Sequence, residues 1–389
     1  DPQQNRIKVS NFRMKIVLIS GHSESLINFR GNLLKAFVES GNQVTVLGPS
    51  QDCSIISDLA KIRVNYEYYP LKRNSFNPAG DLFSLVKIYR LLRKFRPDAV
   101  LSYMVKPNIY GSYAAHLAGV PNIYSMVTGL GHPFLGSGIR FRILNYIVRR
   151  LYQFGLKNNT AVFFQNQDDL TLFKDLGIVA KNKETVLVNG SGVDIDHYKP
   201  TQLIKKPLVF LMISRLIKEK GVFEYIDAAK IIKERYPEVI LRFVTRPDSN
   251  PSSIDISHYQ KWKQSRVVEI LDYTNDVRPY IAEASVYVLP SYREGTPRTV
   301  LEAMSMGRPV ITTDTPGCRQ TVIDSENGFL VPVKDVNTLV QTMERFIKDP
   351  GLIDQMGPKG RDLAVEKYDV HKVNAIFMQT MGLAQNTCV

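Results

Sequence analysis

Short apolar runs alternate with longer stretches that repeat their apolar positions at helical spacing over almost the whole chain. The runs at 15–20, 43–48, 99–102, 122–126 and 161–165 read as buried strands. Between them, helical spacing predicts helices over 54–61, 82–95 and about 109–118, and GHSESLINFRGN as a loop running into a helix that ends near Gly41. Around 193–206 the pattern breaks into GVDIDHYKPTQLIKK, polar and Pro-containing, which reads as a linker. The alternation then restarts, with strands at 208–214, 239–245 and 267–271, helices at 223–235 and 277–283, and a Ser- and Pro-rich loop at 248–253. Three further helical stretches, 336–348, about 352–368 and 370–382, complete the pattern.

Strand and helix in strict alternation define an α/β fold with parallel sheets. The expected architecture is two Rossmann-like doubly wound domains facing a cleft. Their bounds are an N-terminal extension over 1–13, a first domain over 14–196, a second over 205–365, and a last helix over 366–383 packing back on the first. No internal repeat and no low-complexity segment interrupts this plan.

The stretch 285–316, ASVYVLPSYREGTPRTVLEAMSMGRPVITTDTP, is one strand, loop, helix, strand unit. Thr296 stands as the expected N-cap and Pro297 as the first helical residue, because proline has no N–H to leave unpaired there. The unit carries two carboxylates, Glu294 in the loop and Glu302 on the helix, with Gly295 between them. Five helical steps from Pro297 to Glu302 span about 7.5 Å. The loop adds more, so the separation exceeds the roughly 5 to 9.5 Å of a hydrolytic carboxylate pair. Two ends of one long ligand, such as a sugar, a diphosphate and a nucleoside in line, fit that span better. The alternative for each is a solvated surface glutamate.

At the end of the 208–214 strand, SRLIKEKG sets Arg215 and Lys220 where ligands of open α/β sheets bind, either as donors to phosphate or as an ordinary basic loop. Asp194-Ile195-Asp196 has the form of a metal-binding DxD, but lies in the linker, and no metal is expected there. Among the six histidines, His132 beside the TGLG turn at 128–131 and His22 after the first strand are candidates to line the cleft, with a structural role the equal alternative. No GxGxxG follows the first strand, which argues against a nicotinamide enzyme.

Composition adds three points. The chain has 389 residues, 44% of them apolar, enough for two cored domains. Its 50 Lys and Arg against 37 Asp and Glu give a formal charge of +13, which favours an anionic partner. Those basic residues come without a recognised nucleic-acid reading module, so nucleic acid is not the expected partner. Cys53, Cys318 and Cys388 lack disulfide or metal spacing, and no apolar run reaches the length of a spanning helix, so a cytoplasmic protein is expected. The stretch 138–157, GIRFRILNYIVRRLYQFGLK, mixes Arg140, Arg142, Arg149 and Arg150 with Phe141, Ile143, Leu144, Tyr146, Ile147 and Leu151. It reads either as a core helix with a basic outer face or as an amphipathic surface for anionic lipid, to which Lys87, Arg90, Arg93, Lys94 and Arg96 add charge.

Arg215 with Lys220, Glu294 with seven residues before Glu302, then Gly307-Arg308-Pro309-Val310-Ile311 and Gly317, together resemble the retaining glycosyltransferases of family 4, which have the GT-B arrangement. The likeness runs from Met14 to about Leu383. The SGHSESLINFR loop, TGLG and the PGCR at 316–319 are most similar to bacterial enzymes that add an N-acetylhexosamine to a polyprenyl-diphosphate-linked sugar.

The resemblance implies that Glu302 holds the ribose, Arg215 and Lys220 the diphosphate, and Glu294 with Gly295, Thr296, Pro297 and Arg298 the donor sugar and its nucleotide. Gly129 and Gly131 bring backbone N–H groups to the phosphate from the first domain, with His22 and His132 toward the acceptor. It also implies a UDP-sugar donor as substrate and no resident cofactor. The remaining partners are a lipid-linked saccharide acceptor and the anionic inner face of the cytoplasmic membrane. A soluble acceptor, or donor binding without catalysis, are the alternatives. One position departs from the pattern: after PGCR the family commonly has Glu, and here it is Gln320.

Overall fold

Strands apolar on both faces belong in parallel sheets covered by helices on each side, and the computed structural model has two such sheets. It describes residues 14–72, 77–129, 138–248 and 252–383, without the side chains of 140 and 141. The extension at 1–13, Cys388, Gly131 and His132 lie outside the described residues.

In the first domain the strands are β1 (Lys15–Ser20), β2 (Gln43–Gly48), β3 (Asn65–Tyr68), β4 (Ala99–Tyr103), β5 (Asn122–Val127), β6 (Ala161–Phe164) and β7 (Thr185–Leu187). They pair in parallel in the order β3-β2-β1-β4-β5-β6-β7. Its helices are α1 (Glu24–Asn28), α2 (Gly31–Glu39), α3 (Cys53–Lys61), α4 (Pro78–Phe95), α5 (Ser112–Ala118), α6 (Ile139–Leu156) and α7 (Gln167–Asp175), with a π-helical turn at Pro107–Gly111 leading into α5. The second domain runs β8 (Val209–Ile213), α8 (Val222–Arg235), β9 (Ile240–Thr245), α9 (Ile256–Ser265), β10 (Glu269–Asp272), α10 (Arg278–Ala282), β11 (Val286–Leu289), α11 (Arg298–Ser305), β12 (Val310–Thr313) and β13 (Gly328–Val331). Its six strands pair in the order β10-β9-β8-β11-β12-β13. Three helices follow, α12 (Val336–Lys348), α13 (Gly351–Lys367) and α14 (Val370–Thr380).

The chain is thus two doubly wound α/β domains. Strands β3 and β7, which the apolar pattern does not predict, are the two edges of the first sheet and are only half-buried, so they carry no continuous apolar run. Loop GHSESLINFRGN is not a loop throughout: it forms α1 before α2 begins. Helix α4 starts four residues before the predicted 82, capped by the Asn77 side chain with Pro78 at its first position. Helix α11 begins at Arg298, one residue later than Thr296-Pro297 implies, and Pro297 rather than Thr296 occupies its cap position.

The chain passes between the domains twice, and the two passages are hydrogen-bonded to each other. Val193 N–H donates to the Tyr368 carbonyl at 2.8 Å and Val370 N–H to the Val193 carbonyl at 3.0 Å. Beyond the second passage, Val373, Phe377, Met381 and Leu383 join the core of the first domain, and the Phe377 ring lies 4.5 Å from that of Phe163.

Candidate active site

The loop after β8 makes a 3₁₀ turn at Lys218–Lys220 and closes on Gly221, whose φ of +72° only glycine adopts freely. A Cβ at Gly221 would lie 2.0 Å from the Pro290 carbonyl oxygen, so this loop is pressed onto the end of β11. Two bonds to the Glu219 carbonyl stitch the loops together, from Tyr292 N–H at 2.8 Å and from Ser291 Oγ at 3.0 Å.

That stitching fixes one carboxylate. Lys220 Nζ donates to Glu294 Oε1 at 2.5 Å and Ser291 Oγ to the same oxygen at 2.7 Å. Glu294 N–H donates to the Pro316 carbonyl at 3.0 Å, and Gly317 packs so tightly on Glu294 that a Cβ would come within 2.2 Å of its carbonyl oxygen. Arg215 is not in this cluster: its Nη1 pairs with Asp248 at 3.2 Å.

Glu302 is held separately. Two helical positions, Arg298 and Glu302, lie one turn apart, and Arg298 Nε donates to Glu302 Oε1 at 2.8 Å. The Tyr198 hydroxyl, on the segment that enters the second domain, donates to the same oxygen at 3.0 Å. The carboxylate is buried, 4% exposed, and burial pushes its pKa up against the opposing pull of Arg298. Among the described residues the two glutamates share no hydrogen-bond partner.

The loop between them meets the first domain. A Cβ on Gly295 would lie 2.5 Å from Gln165 Oε1 and 2.6 Å from the Thr128 carbonyl oxygen, so the bare face of this glycine makes room for the first domain's backbone. Gly129 lies beside Gly295 across the same boundary. The Thr296 hydroxyl donates to the Gln165 carbonyl at 3.0 Å, which is its use in place of a helix cap, and Asn166 Nδ2 donates to the Gly295 carbonyl at 2.8 Å. Arg293 pairs with Asp169, a fully buried carboxylate on α7 whose pKa burial raises. Arg298 extends over the Phe29 ring of the first domain at 5.5 Å. His22 is half-buried at the end of β1, with its carbonyl accepting from Ser20 Oγ and Ser25 N–H.

Sequence reasoning does not single out Gln165, Asn166, Asp168, Asp169 or Arg293. Asn166 followed by two aspartates is an N-cap with an acidic first turn, and that signal could have placed α7. Asp194 serves a turn: its Oδ1 accepts from the N–H groups of Asp196 at 3.2 Å and His197 at 2.9 Å. Among the described residues no group of three metal-ligating side chains comes together, and no helix is long and apolar enough to cross a membrane.

Two parallel-sheet domains closing on acidic and basic side chains at their strand ends define the GT-B class of nucleotide-sugar-dependent transferases. Residues 194–363 match the family described as glycosyl transferases group 1, and residues 15–166 match glycosyl transferase 4-like. The chain belongs to these glycosyltransferases. It is 25% identical over 353 residues to the N,N'-diacetylbacillosaminyl-diphospho-undecaprenol alpha-1,3-N-acetylgalactosaminyltransferase of Campylobacter jejuni, covering 87% of this chain and 91% of that protein. It is 27% identical over 332 residues to the UDP-Gal:alpha-D-GlcNAc-diphosphoundecaprenol alpha-1,3-galactosyltransferase of Escherichia coli, covering 82% and 83%. Among solved structures, Anabaena HepE in complex with UDP and glucose superposes with a TM-score of 0.77 at 19% identity, over 95% of this chain and all of that one. Sucrose-phosphate synthase of Thermosynechococcus elongatus gives 0.79 at 17% identity, over 95% and 98%.

Proposed function

We propose that this glycosyltransferase moves an N-acetylhexosamine from a UDP-sugar to a polyprenyl-diphosphate-linked saccharide, with retention of configuration and without a resident metal or cofactor. The observation that carries this reading is the arrangement of two separately held carboxylates, Glu294 with Lys220 and Glu302 with Arg298, on either side of the Gly295–Pro297 loop. Glu302 takes the ribose hydroxyls, and Arg215 and Lys220 take the diphosphate. Glu294 positions the sugar. As the bond between the anomeric carbon and the diphosphate breaks, negative charge grows on the leaving group, and cations already in place lower the barrier. The two relatives named above act, by their names, on diphospho-undecaprenol-linked sugars, which supports the acceptor class.

The acceptor's lipid places the reaction at a bilayer, and α6 supports that. Its buried side carries Val148, Tyr152 and Leu156, yet Ile139, Ile143, Tyr146, Ile147 and Phe154 face solvent, 48–66% exposed. Leu82 and Phe83 of α4, about 60% exposed, lie in the same layer, with α5 packed between the two helices. Arg142, Arg150 and Arg90 are exposed among them. Apolar side chains turned outward within a basic field fit the inner face of an anionic cytoplasmic membrane. They do not fit the outer face of an ordinary core helix.

The deciding experiment is a screen of nucleotide sugars for transfer to a lipid-linked acceptor, run with Glu294→Ala and Glu302→Ala. Glu302→Ala is expected to weaken nucleotide binding and Glu294→Ala to lower turnover. Donor binding with no transfer to any acceptor, or unchanged kinetics in both variants, overturns the reading.

A further inference from the structure

Among the described residues two arginines are buried with no carboxylate beside them, and their surroundings differ in kind. Arg308 is fully buried, and all three of its guanidinium nitrogens donate: Nε to the Ile281 carbonyl, Nη1 to those of Met306 and Thr201, Nη2 to those of Gln202 and Ala282 and to Thr201 Oγ1. A cation satisfied in this way is a structural brace. Arg30 is 3% exposed, and among the described residues its side chain makes one hydrogen bond, from Nη1 to Ser191 Oγ at 3.3 Å. Its guanidinium lies over the Tyr103 ring at 5.2 Å, and its Nε is buried without a partner. Among the described residues it has no ion pair.

An unpaired buried cation costs several kcal/mol. Burial, with the nearby charge of Arg298 in the same direction, lowers the Arg30 pKa to about 10 against the opposing effect of Tyr103. Among the described residues only the Ser191 hydroxyl and the Tyr103 ring offset that cost, and no carboxylate does, so the missing anion is sought outside the fold. The location supports this. Arg30 follows α1 and faces Tyr103 at the carboxyl end of β4, on the edge where open α/β sheets bind ligands. Its hydrogen-bond partner Ser191 lies on the first interdomain passage, and the charge of Arg298, in the second domain, acts on it. The guanidinium therefore lies at the boundary between the two domains.

We propose that Arg30 is the seat of an anion site at the domain boundary, distinct from the Lys220–Glu294 cluster, and that its ligand is the diphosphate group of a substrate. The planar fork of arginine suits phosphate oxygens. The choice of diphosphate rests on the function proposed above, in which donor and acceptor both carry one.

The test is titration of the full chain with inorganic pyrophosphate, followed by calorimetry and by Tm. Arg30→Met is expected to weaken pyrophosphate binding about tenfold or more, with Tm unchanged or higher because an unpartnered cation is gone. Unchanged affinity overturns the proposal, as does a lower Tm with affinity held within about twofold. If Arg30→Met does not fold, Arg30→Lys decides: charge without the fork weakens binding at least about threefold at an anion site and leaves it unchanged at a structural one.

Repeating the titration under saturating UDP identifies the source. Arg30-dependent binding that persists assigns the acceptor's diphosphate, and binding that UDP abolishes overturns a site distinct from the donor's. If no lipid-linked acceptor is used while Arg30-dependent binding remains, the proposed function fails and the anion site stands.

Discussion

Gln320 Nε2 donates to Asp168 Oδ2 at 2.6 Å across the domain boundary, while its Oε1 accepts the Gly317 N–H at 2.8 Å. Its carbonyl accepts from the Tyr368 hydroxyl and from Lys367 Nζ at the second interdomain passage. One amide therefore joins the passage, the Gly317 turn that presses on Glu294, and the first domain. An amide is the group this geometry needs, because one end must donate to a carboxylate and the other accept from a backbone N–H. A glutamate, common in the family here, would set two carboxylates against each other.

Gln320→Glu is accordingly expected to lower kcat/KM about five- to tenfold with little change in Tm. Adding Asp168→Asn restores the donor–acceptor pair and most of the activity. Steady-state kinetics of the two single variants and the double variant read the coupling directly.

Gly295→Ala tests the seam itself. The new methyl meets Gln165 Oε1 and the Thr128 carbonyl, both first-domain groups, so each domain folds but the two cannot approach as closely. A fall in kcat of about 10²-fold with Tm near the wild-type value is expected, because small misplacements of reacting groups are costly. Small-angle scattering is expected to show a more open molecule.

Glu302 gives a pH dependence with a definite sign. Burial raises its pKa above the ordinary 4.5, so the folded chain holds this proton more tightly than the unfolded one. Its contribution to stability is complete below about 4.5 and is lost as pH rises through the raised value. Compared with Glu302→Gln, the wild-type Tm is expected to gain as pH falls from neutral toward 5. Parallel Tm profiles for the two proteins would remove the assignment.

Ile143→Glu with Ile147→Glu places charge on the exposed face of α6, where neither side chain supports the core. Co-sedimentation with anionic vesicles is expected to fall sharply in this variant while Tm stays unchanged. Wild-type binding is expected to weaken as salt rises. Failure of the wild-type chain to sediment at low salt would exclude the membrane role.

How much of this was legible beforehand depends on sequence distance. Strands such as β1 and β8 announce themselves because each is apolar on both faces, whereas β3 and β7 stay hidden at the half-exposed edges of their sheet. Glu294, Gly295 and Glu302 stand out because they share one short unit. The partner of Gln320 lies 152 residues away and that of Arg293 lies 124 away, and no local periodicity encodes such a pairing. Thr296 before Pro297 has the local signs of a cap, yet its hydroxyl is used by Gln165, a group that reaches it only once both domains are folded. Arg30 offers no signal at all in sequence, since only burial distinguishes an unpartnered arginine from a surface one.

The paired passages at Val193 and Val370 also set how the two halves move. A single covalent connection would allow one half to swivel and twist freely about the other. Two backbone segments bonded side by side resist twisting and leave bending across the pair as the soft direction. Because α14 completes the first domain's core, residues 14–196 expressed alone would leave the apolar surface beneath Phe377 uncovered. Cut at the junction, the chain would therefore not yield two self-sufficient proteins.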